Sequence, residues 1–277
     1  MIQSARIVVS LLCLVLAPLA NANSKPISRD IELTEQVLAV SQLAEQGDAL
    51  AQEQLGVIYA EGLGVTRDDV RAVWWFRKAA DQGLAVAQNS LGVMYAKGTG
   101  GGKNENEAAM WFRKAAEQGL ADAQFNLGVA YETGSGVVQN QIEALYWWRR
   151  AGDQGLADAQ NKLANAYRLG EGVGKNDAQA MKLYRLAADQ GLPVAQNDLG
   201  CMYASGAGAP RDDAEAVSWY RKAAEQGYAI AQYNLGVMYE KGYGVVRNDA
   251  EAARWYRKSA EQGNARALEA IRHRGAL

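Results

Sequence analysis

The side chains able to do chemistry are few in this chain, and their placement argues against a catalytic centre. The single histidine, His273, stands near the C-terminus. No second imidazole exists to join it in a metal site, and a base for a serine or cysteine nucleophile would have to come from the last residues. Only Cys13 and Cys201 carry thiols, too few for a thiolate cluster. No S-x-x-K segment of the kind used by penicillin-recognising enzymes occurs. Carboxylates are plentiful, but Asp81, Glu117, Asp153, Asp189, Glu225 and Glu261 return at a fixed step. Each follows an arginine by four residues, namely Arg77, Arg113, Arg149, Arg185, Arg221 and Arg257. An acid–base pair is needed once, so six copies read as i, i+4 pairs along helices. Gly98 to Asn104 imitates a phosphate loop. Lys97 nevertheless replaces its first glycine, Asn104 replaces its Ser or Thr, and no strand pattern precedes it. The chain is expected to be no enzyme, with no catalytic residue, cofactor or metal.

The elements behind these residues form a repeat. Leu55, Leu91, Leu127, Leu163, Leu199 and Leu235 are spaced by 36 without insertion, and Tyr59, Tyr95, Tyr131, Tyr167, Tyr203 and Tyr239 keep the same step. Tyrosine follows leucine by four residues, which puts both on one helical face. Each unit holds two helices. The first, as in Ala49 to Glu61, stops at a Gly-x-Gly loop such as Gly62 and Gly64, because glycine enters the left-handed region without a Cβ penalty. The second starts at Asp68, Asn104, Asn140, Asn176, Asp212 or Asn248, whose side chains suit free first-turn N–H groups. Glu107, Glu143, Gln179, Glu215 and Glu251, three residues later, complete a capping-box spacing in five of the six units. Glutamine then glycine closes each second helix, and Leu84, Leu120, Leu156 and Leu192 follow where a Schellman contact belongs. Ala72 and Gly56, with their equivalents, allow close approach, and Trp75 and Phe76, with theirs, supply bulk.

One helix pair cannot bury both faces, so the units are expected to stack around a continuous core. The expected organisation is all-α: a leader over 1–22, a linker and capping helix over 23–48, six helix-turn-helix repeats over 49–264, and a capping helix over 265–277. The leader is read from Arg6, the apolar run Ile7 to Leu16 and the small residues Ala20-Asn21-Ala22. Its apolar core is too short for the roughly 20 residues of a membrane span. Export, to the periplasm or the medium, is therefore expected, with no membrane span in the mature chain. Its cleavage would take Cys13 away and leave Cys201 without an intrachain partner. The net charge of −2 becomes about −3 without Arg6, no footprint for nucleic acid.

The pattern LGVxYxxGxGV, then Asx, then AxxWYRKAAxQG, plain in Leu235 to Val245 and Trp255 to Gly263, closely resembles the Sel-one-like repeat family, relatives of the tetratricopeptide repeats. The resemblance implies a right-handed α-solenoid that serves as a scaffold or adaptor for a protein partner, and exported bacterial members serve envelope regulation, secretion or host interaction. The chain departs from the family's disulfide-stapled branch, which has been linked to penicillin binding, because it lacks the paired cysteines. If the leucine and tyrosine columns align as the resemblance implies, the concave surface is formed by first-helix positions such as Leu50, Glu53, Val57, Ala60 and Glu61. One such column varies as Glu53, Asn89, Phe125, Asn161, Asn197 and Tyr233. Amides suit an extended peptide backbone and aromatic rings suit apolar anchoring. The candidate partner-binding residues are Asn89, Phe125, Asn161, Arg168, Asn197 and Tyr233. Alternatives from other classes are a cell-wall or β-lactam hydrolase and a self-associating architectural rod, with a monomer also left open.

Overall fold

The computed structural model describes the backbone of residues 26–275 and side chains over 35–272. The expected leader with Arg6 and Cys13, and the side chain of His273, lie outside the described residues. Among the described residues there are fourteen helices and no strand. Helix α1 spans Pro26–Glu45, inside the 23–48 segment expected to hold a linker and a capping helix. The six pairs are α2 (Ala49–Glu61) with α3 (Asp69–Asp81), α4 (Ala85–Lys97) with α5 (Glu105–Glu117), α6 (Ala121–Thr133) with α7 (Gln141–Asp153), α8 (Ala157–Leu169) with α9 (Asp177–Asp189), α10 (Pro193–Ser205) with α11 (Asp213–Glu225), and α12 (Ala229–Lys241) with α13 (Asp249–Glu261). Helix α14 spans Ala265–Gly275. No described helix is long and apolar enough to cross a membrane.

The chain divides into two compact units, one ending at Gln82 and one beginning at Gly83. In the first, Val40 and Ala44 of α1 pack with Ala51, Leu55 and Ile58 of α2 and with Trp75 of α3. In the second, every first helix packs on the second helix of its own repeat and then on that of the repeat before, wherever both lie in this unit. The leucine column is the centre of each layer: Leu91, Leu127, Leu199 and Leu235 have no solvent exposure. Close approach requires the helical glycines. A Cβ on Gly92 would lie 2.7 Å from Phe112 Cδ1, and one on Gly236 2.7 Å from Tyr256 Cδ1. Alanine columns such as Ala108, Ala115 and Ala123 fill the rest of these contacts at small radius.

Buried glutamines, which the sequence pattern alone did not single out, tie the layers together. Gln124 Nε2 donates to the Ala116 carbonyl at 3.1 Å, and Gln124 Oε1 accepts from Gln154 Nε2 at 2.8 Å. The same Gln–Gln bond recurs from Gln190 to Gln160, Gln226 to Gln196 and Gln262 to Gln232. A buried amide left unpaired costs about 1–3 kcal/mol, so these bonds fix the register between consecutive second helices.

The helix ends follow the sequence in part. All six Asx residues accept first-turn N–H groups through their side chains. The Schellman joint is present, with Leu120 N–H on the Ala115 carbonyl at 3.2 Å and Gly119 N–H on Ala116 at 3.0 Å. The reciprocal half of the capping box is replaced. Each Asx N–H instead donates to the tyrosine carbonyl of its own repeat's first helix, as Asn104 does to Tyr95 at 3.0 Å. Its donor already satisfied, the cap leaves the glutamate free for other work. Glu107 accepts from Trp111 Nε1 at 3.2 Å, and Glu215 from Trp219 Nε1 at 3.1 Å.

The arginine column also differs from the i, i+4 expectation. Arg113, Arg149 and Arg221 donate to the hydroxyls of Tyr131, Tyr167 and Tyr239 on the next first helix, and Arg185 to Tyr203. The Arg113 guanidinium stands 5.8 Å from the Tyr131 ring centre. A half-buried phenol ring offers the cation both an acceptor and a π face, while the carboxylate four residues on stays in water.

Candidate functional site

The predicted residues belong to first helices, and the structure treats them unequally. Asn89 is half-buried, and its Oδ1 accepts from Asn126 Nδ2 at 2.9 Å. Asn197 is buried; its Oδ1 accepts from Asn234 Nδ2 at 2.8 Å, and its Nδ2 donates to Asp198 Oδ1 at 3.2 Å. These two amides are therefore rungs of an inter-repeat ladder, each joined to a residue 37 positions later. Phe125 is half-buried, with its carbonyl accepting from Trp148 Nε1 at 3.3 Å. The half-buried Tyr233 ring lies 5.6 Å from that of Tyr256.

Asn161 is different. It is 9 % exposed, and its Oδ1 is sealed from solvent without a hydrogen-bond partner. The residue 37 positions on is Asp198, whose Oδ1 is engaged by Asn197. Asn161 lines a cavity of about 210 Å³ with Glu132, Trp148, Lys162 and Asn165. The Lys162 ammonium closes on Glu132 at 2.7 Å, both side chains being about one-third exposed, and sits 5.2 Å from the Trp148 ring.

Arg168 is the exposed cation on this helix face. Residues 161, 165 and 168 share one side of α8 by helical spacing. Arg168 Nε donates to Tyr184 Oη at 3.1 Å, and Tyr184 Oη donates to Asn165 Oδ1 at 2.8 Å. The Tyr184 side chain is wholly buried, and burial, the largest influence, pushes its pKa up to about 12. A neutral phenol at that position holds the guanidinium in place without neutralising it.

Beyond α8, Asp198 and Cys201 continue the polar surface, with the buried Tyr220 behind them. Burial raises the Asp198 pKa above the usual carboxylate range, opposed by the Asn197 hydrogen bond and by Arg168. Cys201 keeps solvent access but is crowded by protein atoms, which pushes its thiol pKa up despite a 3.3 Å hydrogen bond from Tyr220. Such a thiol is a weak nucleophile. In the first unit, Glu53 is 8 % exposed, and burial alone raises its pKa to about 7. No group of three or more metal-ligating side chains exists among the described residues.

The structure thus brings Asn161 and Arg168 together through Asn165 and Tyr184, while Asn89, Asn197 and Tyr233 occupy other rows. Asn165, Tyr184 and Asp198 were missed as members of the site. A signal for Asn165 and Cys201 was present, since both stand in a column that otherwise reads Val57, Val93, Val129 and Val237.

The Sel1 repeat family model matches residues 49–84, 85–120, 121–156, 157–192, 193–228 and 229–264, the same six units. A protective antigen of uropathogenic Escherichia coli strains, displaying an SLR fold, is similar at 40 % identity with a TM-score of 0.79 over 83 % of this chain and 50 % of that one. This chain accordingly spans half the length of that antigen. A Sel1 repeat protein from Oxalobacter formigenes is similar at 37 % identity and a TM-score of 0.77, over 84 % of this chain and 68 % of that one. No curated protein matches the chain. With its Leu and Tyr columns, its Asx caps and all six repeats matched, the chain belongs to the Sel1 repeat family.

Proposed function

We propose that this chain is a non-catalytic scaffold that acts outside the cytoplasm, in the periplasm or after secretion, and holds a protein partner along its first-helix surface. Sel1 repeat proteins generally mediate protein–protein interaction and are generally non-enzymatic. The observation that carries the reading here is the contrast within each repeat. Leucine, tyrosine, alanine and glycine positions are used up by packing, whereas the column from Asn89 to Tyr233 varies between amides and aromatic rings and at Asn161 leaves a buried amide oxygen without an internal partner. Because that oxygen is sealed from solvent, a partner group would complete it only by entering the cavity of about 210 Å³ that Asn161 lines.

The test is recovery of the partner by crosslinking and affinity purification from intact cells, comparing wild type with N161A and Y233A. Recovery should fall several-fold in both while the helical melt stays within a few degrees. Equal recovery would remove this surface from consideration, and cell fractionation that places the chain in the cytoplasm would refute the export. Turnover of nitrocefin or peptidoglycan would revive the hydrolase alternative.

A further inference from the structure

The charged groups that share the Arg168 column elsewhere in the second unit are engaged. Glu132 pairs with Lys162 at 2.7 Å, and Glu240 accepts from Tyr256 Oη at 2.9 Å. Arg168 has no carboxylate within ion-pair distance among the described residues. Its hydrogen bonds go to neutral oxygens, Tyr184 Oη at 3.1 Å and Asn165 Oδ1 at 3.5 Å. Asp198 opposes it across the surface without reaching it, its Oδ1 taken by Asn197. The guanidinium is thus oriented through Nε by a buried phenol and through Nη2 by the Asn165 amide, with Nη1 and the second Nη2 hydrogen open. The same helix face carries the unsatisfied Asn161 amide seven residues earlier.

We infer that Arg168 recognises a carboxylate, so that the partner segment presents an acidic side chain or its own C-terminus to the α8 face. A planar fork already held by two hydrogen bonds loses less rotamer freedom on pairing, and bidentate Arg–carboxylate contacts are the strong class of charge-assisted bond. This rests on the reading of the chain as a protein-binding scaffold, and it specifies which partners that surface accepts.

The experiment titrates the full chain into four fluorescent pools of nine-residue peptides, followed by anisotropy. Three pools end in an amide and fix the central residue as Asp or Glu, as Lys, or as Asn or Gln. The fourth is the neutral pool with a free C-terminal carboxylate. At least one carboxylate pool should bind about ten-fold more tightly than the amidated neutral pool, and which one does so separates side chain from C-terminus. R168Q should abolish that preference while leaving the neutral pool unchanged, and D198N, which removes the competing anion, should raise it a few-fold. R168K keeps the charge without the fork and should lose several-fold, which keeps the proposal open to refutation if R168Q melts early. Absence of a carboxylate preference, a preference for the Lys pool, or a preference that survives R168Q overturns the proposal. Those results would leave the scaffold reading standing, because it is judged separately by partner recovery with Y233A.

Discussion

Replacing Glu53 with glutamine should stabilise the folded chain above neutral pH and change nothing in acid. Glu53 is 8 % exposed in α2, and no partner offsets its desolvation, which raises the folded pKa from 4.5 to about 7. At pH 4 both the folded and the unfolded chain carry the proton. As pH rises past 4.5 the unfolded chain releases it first, so unfolding becomes more favourable until the folded carboxyl also ionises near 7. The stability associated with the neutral form is therefore complete below 4.5 and lost across that window. At about 1.4 kcal/mol per pH unit the full loss is about 3 kcal/mol, with little discount for solvent because the side chain is almost enclosed. Glutamine keeps the shape and removes the charge. The assay is urea unfolding of wild type and E53Q at pH 4, 5.5 and 8. Native-state hydrogen exchange of the α2 amides serves as a local readout, because repeat arrays need not unfold as one unit. E53Q minus wild type should be near zero at pH 4 and about 3 kcal/mol at pH 8. A difference that does not vary with pH, or a wild type more stable than E53Q at pH 8, would refute the reasoning.

Three further outcomes are expected. N161A should leave the melting temperature nearly unchanged because the amide makes no internal bond, whereas N197A should cost about 1 kcal/mol through loss of the Asn234 and Asp198 contacts; equal melts for the two would contradict the ladder. G92A should destabilise by about 1–2 kcal/mol despite alanine's better helix propensity, since its Cβ would press on Phe112 at 2.7 Å; a stabilised variant in thermal melts would show that the ring can move. Q124L should cost about 1 kcal/mol by removing the hydrogen bonds to the Ala116 carbonyl and from Gln154, partners that keep their bonds with Gly119, and adding Q154L should cost less than the sum of the two single changes, as a double-mutant cycle in urea would show.

Much of the architecture was legible because its causes are local or strictly periodic. Residues four apart on a helix share a face whatever surrounds them, so Leu91 and Tyr95 announced both the helix and its buried side. Gly98, at φ 75°, and Asn104, as an N-cap, act within one turn of themselves and could be read in place. The capping-box spacing and the Arg–Asp spacing were equally visible but led to the wrong partners. Asn104 N–H goes to Tyr95 and Arg113 to Tyr131, because the folded-back helix supplies a carbonyl and a phenol at places no local spacing records.

Residue types and their spacing were enough to define the repeat, its two helices and the column from which a binding surface would come. Which members of that column are free depends on the packing of one repeat against the next. Asn89, Asn161 and Asn197 are the same residue at the same position, yet a side chain on the next repeat satisfies the first and last, and none satisfies the middle one. What distinguishes them is the residue 37 positions later: Asn126 and Asn234 each donate an amide N–H, while the carboxylate of Asp198 has none to give and itself accepts from Asn197. Arg168 is left without a carboxylate for a nearer reason: the partners it meets, Asn165 on its own helix and Tyr184 on the second helix of its own repeat, are an amide and a phenol. Hydrogen-bond satisfaction is a property of the neighbours a side chain meets in space, and stacking brings those neighbours from other repeats.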